Sequence, residues 1–184
     1  MSLGAISDEA LLKDFLRGRR AALGELAGRY ERRLLGLAWA MLDRNETLAR
    51  DAVQEVWLRV IRFGAKFDGR SSFKTWLYRI AINQCRSLAA TAEAGRDDSA
   101  CDHRAASTDS PQQTVEAAER DEVLHAAVSA LGPEKSETLL LCYHEGMTHA
   151  EAAELLSIPV GTLKSRLHAA LEELRGRLSP EVRS

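Results

Sequence analysis

The sequence predicts an all-α fold of two small helical domains, four helices in each, joined by a flexible linker, and three observations carry that reading. Apolar residues recur at helical spacing along nearly the whole chain, and no alternating strand pattern persists. Residues 89–113 shift to Ala, Ser, Thr, Asp and Gly without apolar periodicity, so they bury too little surface to offset the entropy of ordering. A length of 184 residues suits one domain or two small ones. The expected division is residues 1–88, a linker over 89–113, and residues 114–184.

Each helix has its own start and stop signals. Ser7 caps a first helix, with Asp8 and Glu9 in the opening turn where the helix dipole favours acids, and the helix stops near Gly18. A second runs over about 20–42 with Leu23, Leu26, Ala27, Tyr30, Leu34, Leu37 and Met41 on one stripe. A third spans about 46–63, with Val53, Val56, Trp57 and Val60 facing a core. Two glycines and two serines make residues 64–72 a loop, and Ser71 or Ser72 caps a fourth helix reaching about Leu88. After the linker, Leu124, Val128 and Leu131 mark one helix, and Pro133 opens the next, which ends before Gly146. Residues 148–151 form a capping box that starts a short helix ending near Leu156. After a break at Ser157 and Ile158, Pro159 opens a last helix to about Leu178.

Composition narrows the function classes. The hydrophobic content of 45% and charged content of 28% belong to an ordinary globular protein. The longest apolar runs are broken by Gly36 and fall far short of the roughly 20 residues of a membrane span. No signal peptide is visible over residues 1–8. Cys85, Cys101 and Cys142 are an odd count at wide spacing, which suggests neither a disulfide framework nor a zinc ribbon, and a reducing cytoplasm is the expected compartment. The histidines form no ligand spacing with the cysteines, and there is no Gly-rich phosphate loop, HExxH or G-x-S-x-G, so neither metal, cofactor nor catalysis is expected. Residues 1–88 carry 16 Lys and Arg against 10 Asp and Glu, net +6, whereas residues 114–184 carry 7 against 12, net −5. A basic first half suits a polyanionic partner.

Three constellations stand out. Residues 148–175 have the layout of a helix-turn-helix, whose second helix enters the major groove and reads bases near its start. Thr162, Lys164, Ser165, Arg166 and His168 supply donors and acceptors for base edges there, and residues 159–178 carry a local net charge of +2. An ordinary helical hairpin with a polar outer face is the alternative at this point. Residues 71–86 place Lys74, Arg79 and Arg86 among Phe73, Trp76 and Tyr78 with no acid, a composition that suits a single strand of nucleic acid. Phe73 and Trp76 read better as core, whereas Lys74, Arg79 and Asn83 read as a polar contact face. Residues 51–62 set Asp51, Gln54, Glu55 and Arg59 on a polar face, which on its own is equally an ordinary solvated helix.

The stretches DAVQEVWLRVIR, FDGRSSFKTWLYRIAINQCRS and HAEAAELLSIPVGTLKSRLHAALEELRG, in that order and separation, resemble the conserved regions of extracytoplasmic-function sigma factors of bacterial RNA polymerase. The resemblance covers nearly all of the chain except the linker and the extreme termini. It implies a region 2 type domain followed by a region 4 type domain, with core RNA polymerase and promoter DNA as partners and an anti-sigma factor as a further expected one. It implies that Asp51, Gln54, Glu55 and Arg59 dock on the polymerase clamp. It assigns the −10 element, as a single strand, to Ser71, Ser72, Lys74, Trp76, Arg79 and Asn83, and the −35 element to Thr162, Lys164, Ser165, Arg166 and His168. The chain departs from the family at Ser157, where Gly is usual, and over residues 168–176, which are less basic than usual. The alternatives are a sigma-like decoy that sequesters an anti-sigma factor, and a helix-turn-helix repressor acting without polymerase.

Overall fold

The computed structural model describes residues 6–96 and 123–178, and every regular element among them is helical. The N-terminal half comprises α1 (Asp8–Leu16), α2 (Arg20–Met41), α3 (Glu46–Phe63) and α4 (Phe73–Arg96). The C-terminal half comprises α5 (residues 123–129), α6 (Pro133–Leu139), α7 (His149–Leu156) and α8 (Val160–Leu178). The Ser7 hydroxyl accepts from the Ala10 N–H, and the Asn45 carbonyl from the Leu48 N–H, which fixes the starts of α1 and α3. The stripe expected on α2 packs inward, with Leu26, Leu34 and Leu37 fully buried.

Two boundaries differ from expectation. α4 continues to Arg96, into the stretch read as linker, because Ala89, Ala90, Ala92 and Ala94 favour helix and Ala89 still packs on the core. The rest of that stretch, Cys101 included, lies outside the described residues. α6 does not run straight to Gly146; residues 140–144 form one π-helical turn, closed by the Glu145 N–H on the Leu140 carbonyl at 3.0 Å. Leu124, one of the three apolar residues expected to mark the helix after the linker, is 46% exposed.

The core is one body through both halves. Leu26, Leu34, Val56, Phe73 and Ile82 share a continuous apolar cluster with Leu141, Met147, Leu155 and Leu163. A smaller cluster of Ala127, Leu131, Ala170 and Leu174 closes α5 and α6 on α8. At the N-terminal end, Glu9 accepts from the Phe73 N–H at 2.9 Å, so α1 caps α4, while Tyr30 donates to Asp8.

Ser157 ends α7 in the left-handed region, at φ 56° and ψ 42°. A side chain there crowds the following carbonyl by about 1–2 kcal/mol, a strain that glycine escapes. Ser157→Gly is therefore expected to stabilise the chain by about 0.5–1 kcal/mol, since glycine's added freedom when unfolded returns part of the gain. Urea or thermal melting checks this, and a lowered midpoint would refute the strain.

Candidate functional site

The capping box forms as its spacing requires. The Thr148 hydroxyl accepts from the Glu151 N–H at 3.3 Å, and Glu151 accepts from the Thr148 N–H at 2.8 Å. These bonds hold the Glu151 carboxyl below the usual range. The Ser157 turn then sets α8 beside α7, with Leu163, Leu167, Ala170 and Leu174 buried. The opposite face near the start of α8 leaves Lys164, Ser165 and His168 exposed. Thr162 and Arg166 are half-buried, and Arg166 turns toward α6, 3.0 Å from the Glu134 carboxylate. Farther along, Arg177 pairs with Glu173 at 2.8 Å and Arg175 with Glu172, so acids answer the cations of the last turns.

The second constellation divides as its spacing suggests. Phe73 is fully buried and meets Tyr30 edge-on at 5.9 Å between ring centres, while Trp76 is half-buried against Phe67 at 5.5 Å. Ser72 caps α4 by accepting from the Thr75 N–H at 3.1 Å, with Ser71 half-buried beside it. Asn83 is exposed, Lys74 and Arg79 are half-buried, and the Lys74 ammonium stands 6.0 Å above the Tyr78 ring. Arg79 donates to the Glu154 carbonyl of α7 at 3.1 Å. Lys74 therefore lies beside Tyr78, whereas Arg79 and Asn83 lie farther round α4, and α7 packs against the helix.

On α3, Asp51 and Gln54 are exposed, and Arg59 donates to Glu55 one turn back at 3.1 Å. Beside them lies a feature the residue pattern did not single out. A groove of about 350 Å³ runs between α2 and α3, lined by Leu35, Val53, Gln54, Trp57, Leu58 and Ile61 with Glu31 and Arg50 at its rim. Leu58 and Ile61 are 37% and 47% exposed, and the buried indole N–H of Trp57 has no hydrogen-bond partner. The signal was available: apolar residues at 57, 58 and 61 widen the stripe of α3 beyond what one buried face needs.

Residues 26–93 match the model of sigma-70 region 2, and residues 121–174 match that of sigma-70 region 4. The RNA polymerase sigma-H factor of Pseudomonas aeruginosa is 30% identical over 187 residues, covering 96% of each chain. The chain belongs to the extracytoplasmic-function family of RNA polymerase sigma factors. The ECF RNA polymerase sigma-E factor of Haemophilus influenzae is a further relative, 27% identical across 95% of this chain and 97% of its own. Two solved structures share the fold: CnrH in complex with the cytosolic domain of CnrY (TM-score 0.73, 24% identity, 95% and 98% coverage), and the sigma factor RpoE of Bartonella quintana with the anti-sigma factor NepR (0.65, 21%, 92% and 99%). As a sigma factor the chain directs core RNA polymerase to promoter DNA and initiates transcription, and the decoy alternative is not favoured. No helix among its described residues is long and apolar enough to cross a membrane.

Proposed function

We propose that this sigma factor divides promoter recognition between its halves and works in the cytoplasm beside core polymerase. Residues 1–88 dock on the polymerase clamp and capture the unpaired −10 element, residues 114–184 read the −35 element as duplex, and residues 89–113 tether the two. Lys164, Ser165 and His168 read base edges, with Thr162 at the entry and Arg166 exchanging Glu134 for DNA. What supports this is the exposed polar edge at the start of α8, where a recognition helix makes its base contacts. Ser71, Ser72, Lys74, Trp76, Arg79 and Asn83 meet the single strand. Linking two weak readers raises the local concentration of the second once the first is bound.

Asp51, Gln54, Glu55 and Arg59 form the polar border of the clamp-docking surface, and the groove beside them takes an apolar side chain of the polymerase. An anti-sigma factor joins the partners by analogy with the Bartonella relative. Run-off transcription with core polymerase tests the reading. The intact chain is expected to give promoter-specific transcripts, and Gln54→Ala with Glu55→Ala to weaken core binding while the fold survives, since Gln54 is exposed and the half-buried Glu55 gives up only its one-turn ion pair with Arg59, a loss of about 1 kcal/mol or less. Unchanged core affinity in the folded double variant would remove α3 from the docking surface.

A further inference from the structure

The start of α6 meets α8 at two levels. Lys135 pairs with Glu173 at 2.7 Å, and Glu134 stands 3.0 Å from Arg166, about two turns nearer the start of α8. The two pairs differ in what rests on them. Leu131, Ala170 and Leu174 are buried between the helices, so apolar packing and Lys135 hold α6 on α8 without Glu134. Glu137 and Glu145 of the same half are buried, and they accept from Arg86 and Tyr78 of α4. The Glu134 side chain, by contrast, is 68% exposed. Its charge also reaches Arg86, but Glu137 already accepts from that guanidinium at 2.6 Å.

What Glu134 changes is the aim of one cation. Lys164, Ser165 and His168 stand exposed at the start of α8, whereas the Arg166 side chain is 26% exposed and drawn aside toward α6. Resting on the reading of α8 as the duplex reader, we propose that Glu134 is a positioning residue that attenuates recognition of the upstream element by holding Arg166 off the DNA. A guanine edge or a phosphate gains Arg166 only by displacing the carboxylate, which is then left bare beside a polyanion. The contact therefore contributes only its excess over the ion pair. The two opposite charges also cancel in the release of counterions, so Arg166 adds little to the salt dependence of binding while Glu134 is present. An exposed ion pair stabilises by a factor of about five at most, which sets the size of the effect.

Holoenzyme carrying Glu134→Gln tests this on a fluorescein-labelled duplex of the promoter that gives the run-off transcript, held on ice as the closed complex. It is expected to bind about two- to fivefold more tightly than unmodified holoenzyme. The slope of log affinity against log salt is expected to steepen by about one, as one newly uncompensated cation should give. Adding Arg166→Ala should abolish both gains. A gain that survives beside Arg166→Ala reports repulsion of DNA by the carboxylate alone and overturns the proposal. Unchanged affinity overturns it as well, and weaker binding would make Glu134 a support of the Arg166 contact and not a brake on it. Should Glu134→Gln lose helix by circular dichroism, Glu134→Ala carries the same test, since alanine favours the helix. Lys164→Ala tells a failure here from a failure of the α8 reading. If it weakens closed complexes while Glu134→Gln changes nothing, only the attenuation falls; if neither changes them, α8 does not read the duplex.

Discussion

Holoenzyme carrying Lys74→Ala and Arg79→Ala is expected to bind duplex promoter nearly as the unmodified enzyme does, yet to open it at least about tenfold less. Hydrogen bonds to charged groups contribute about 1.5–3 kcal/mol each, so two lost strand contacts account for that factor or more. Permanganate reactivity of unpaired thymines reads the opening. A pre-melted bubble template should restore transcription, because the variants are expected to fail only at the step the bubble bypasses. Lys164→Ala with Arg166→Ala is expected to behave in the opposite way: closed complexes should fall, discrimination within the upstream element should blunt, and the bubble should give no rescue. A base-reading cation contributes about 1–3 kcal/mol and acts at one position of the site. Equal rescue of both pairs, or normal opening without Lys74 and Arg79, would refute this division.

Phe73→Ala is expected to be the most destabilising of the substitutions considered, at about 3–5 kcal/mol. The ring is wholly buried and touches Tyr30, Phe67 and Trp76, with centres 5.9, 6.3 and 5.9 Å away. Edge-on and tilted contacts of this kind add about 0.5–1.5 kcal/mol beyond the area they bury. Since a domain holds only about 5–15 kcal/mol in all, the chain should unfold at markedly lower urea, and promoter activity should go with it. A loss under about 1.5 kcal/mol would place the ring outside the core. Trp76→Ala, starting from a half-buried position, should lose less.

That contrast shows what was legible in the residues. Phe73 and the stripes of α2 and α3 follow from spacing, because a helix must bury one face whatever packs on it. The capping box and the Ser157 break followed from local chemistry as well. The π-helical turn did not: the backbone carries no residue signature for it, and its register is set by Leu140 and Leu141 packing against the rest of the core. Nor did the partners of Arg86, Arg79 and Tyr78. Glu137 lies 51 residues from Arg86, and only tertiary packing selects it from 27 acids. Arg166 was legible as a cation in the right turn, but its pairing with Glu134 was not. The groove beside α3 falls between these cases. Trp57 read as core, yet its neighbours Leu58 and Ile61 face outward.

The short stretch Ser7 to Glu9 has a consequence for synthesis. Asp8 takes Tyr30 and Arg29, and Glu9 takes the Phe73 N–H, 64 residues downstream. At about 5–20 residues per second, the ribosome needs several seconds between making Glu9 and making its partner. During that interval α1 can lie on α2 but has nothing to cap. The loop at 67–72 and the start of α4 therefore take their final form only after a long-range closure, however early the helices themselves appear. A nascent chain halted before residue 73 should consequently be helical but readily digested near its beginning, and protection there should arrive together with α4.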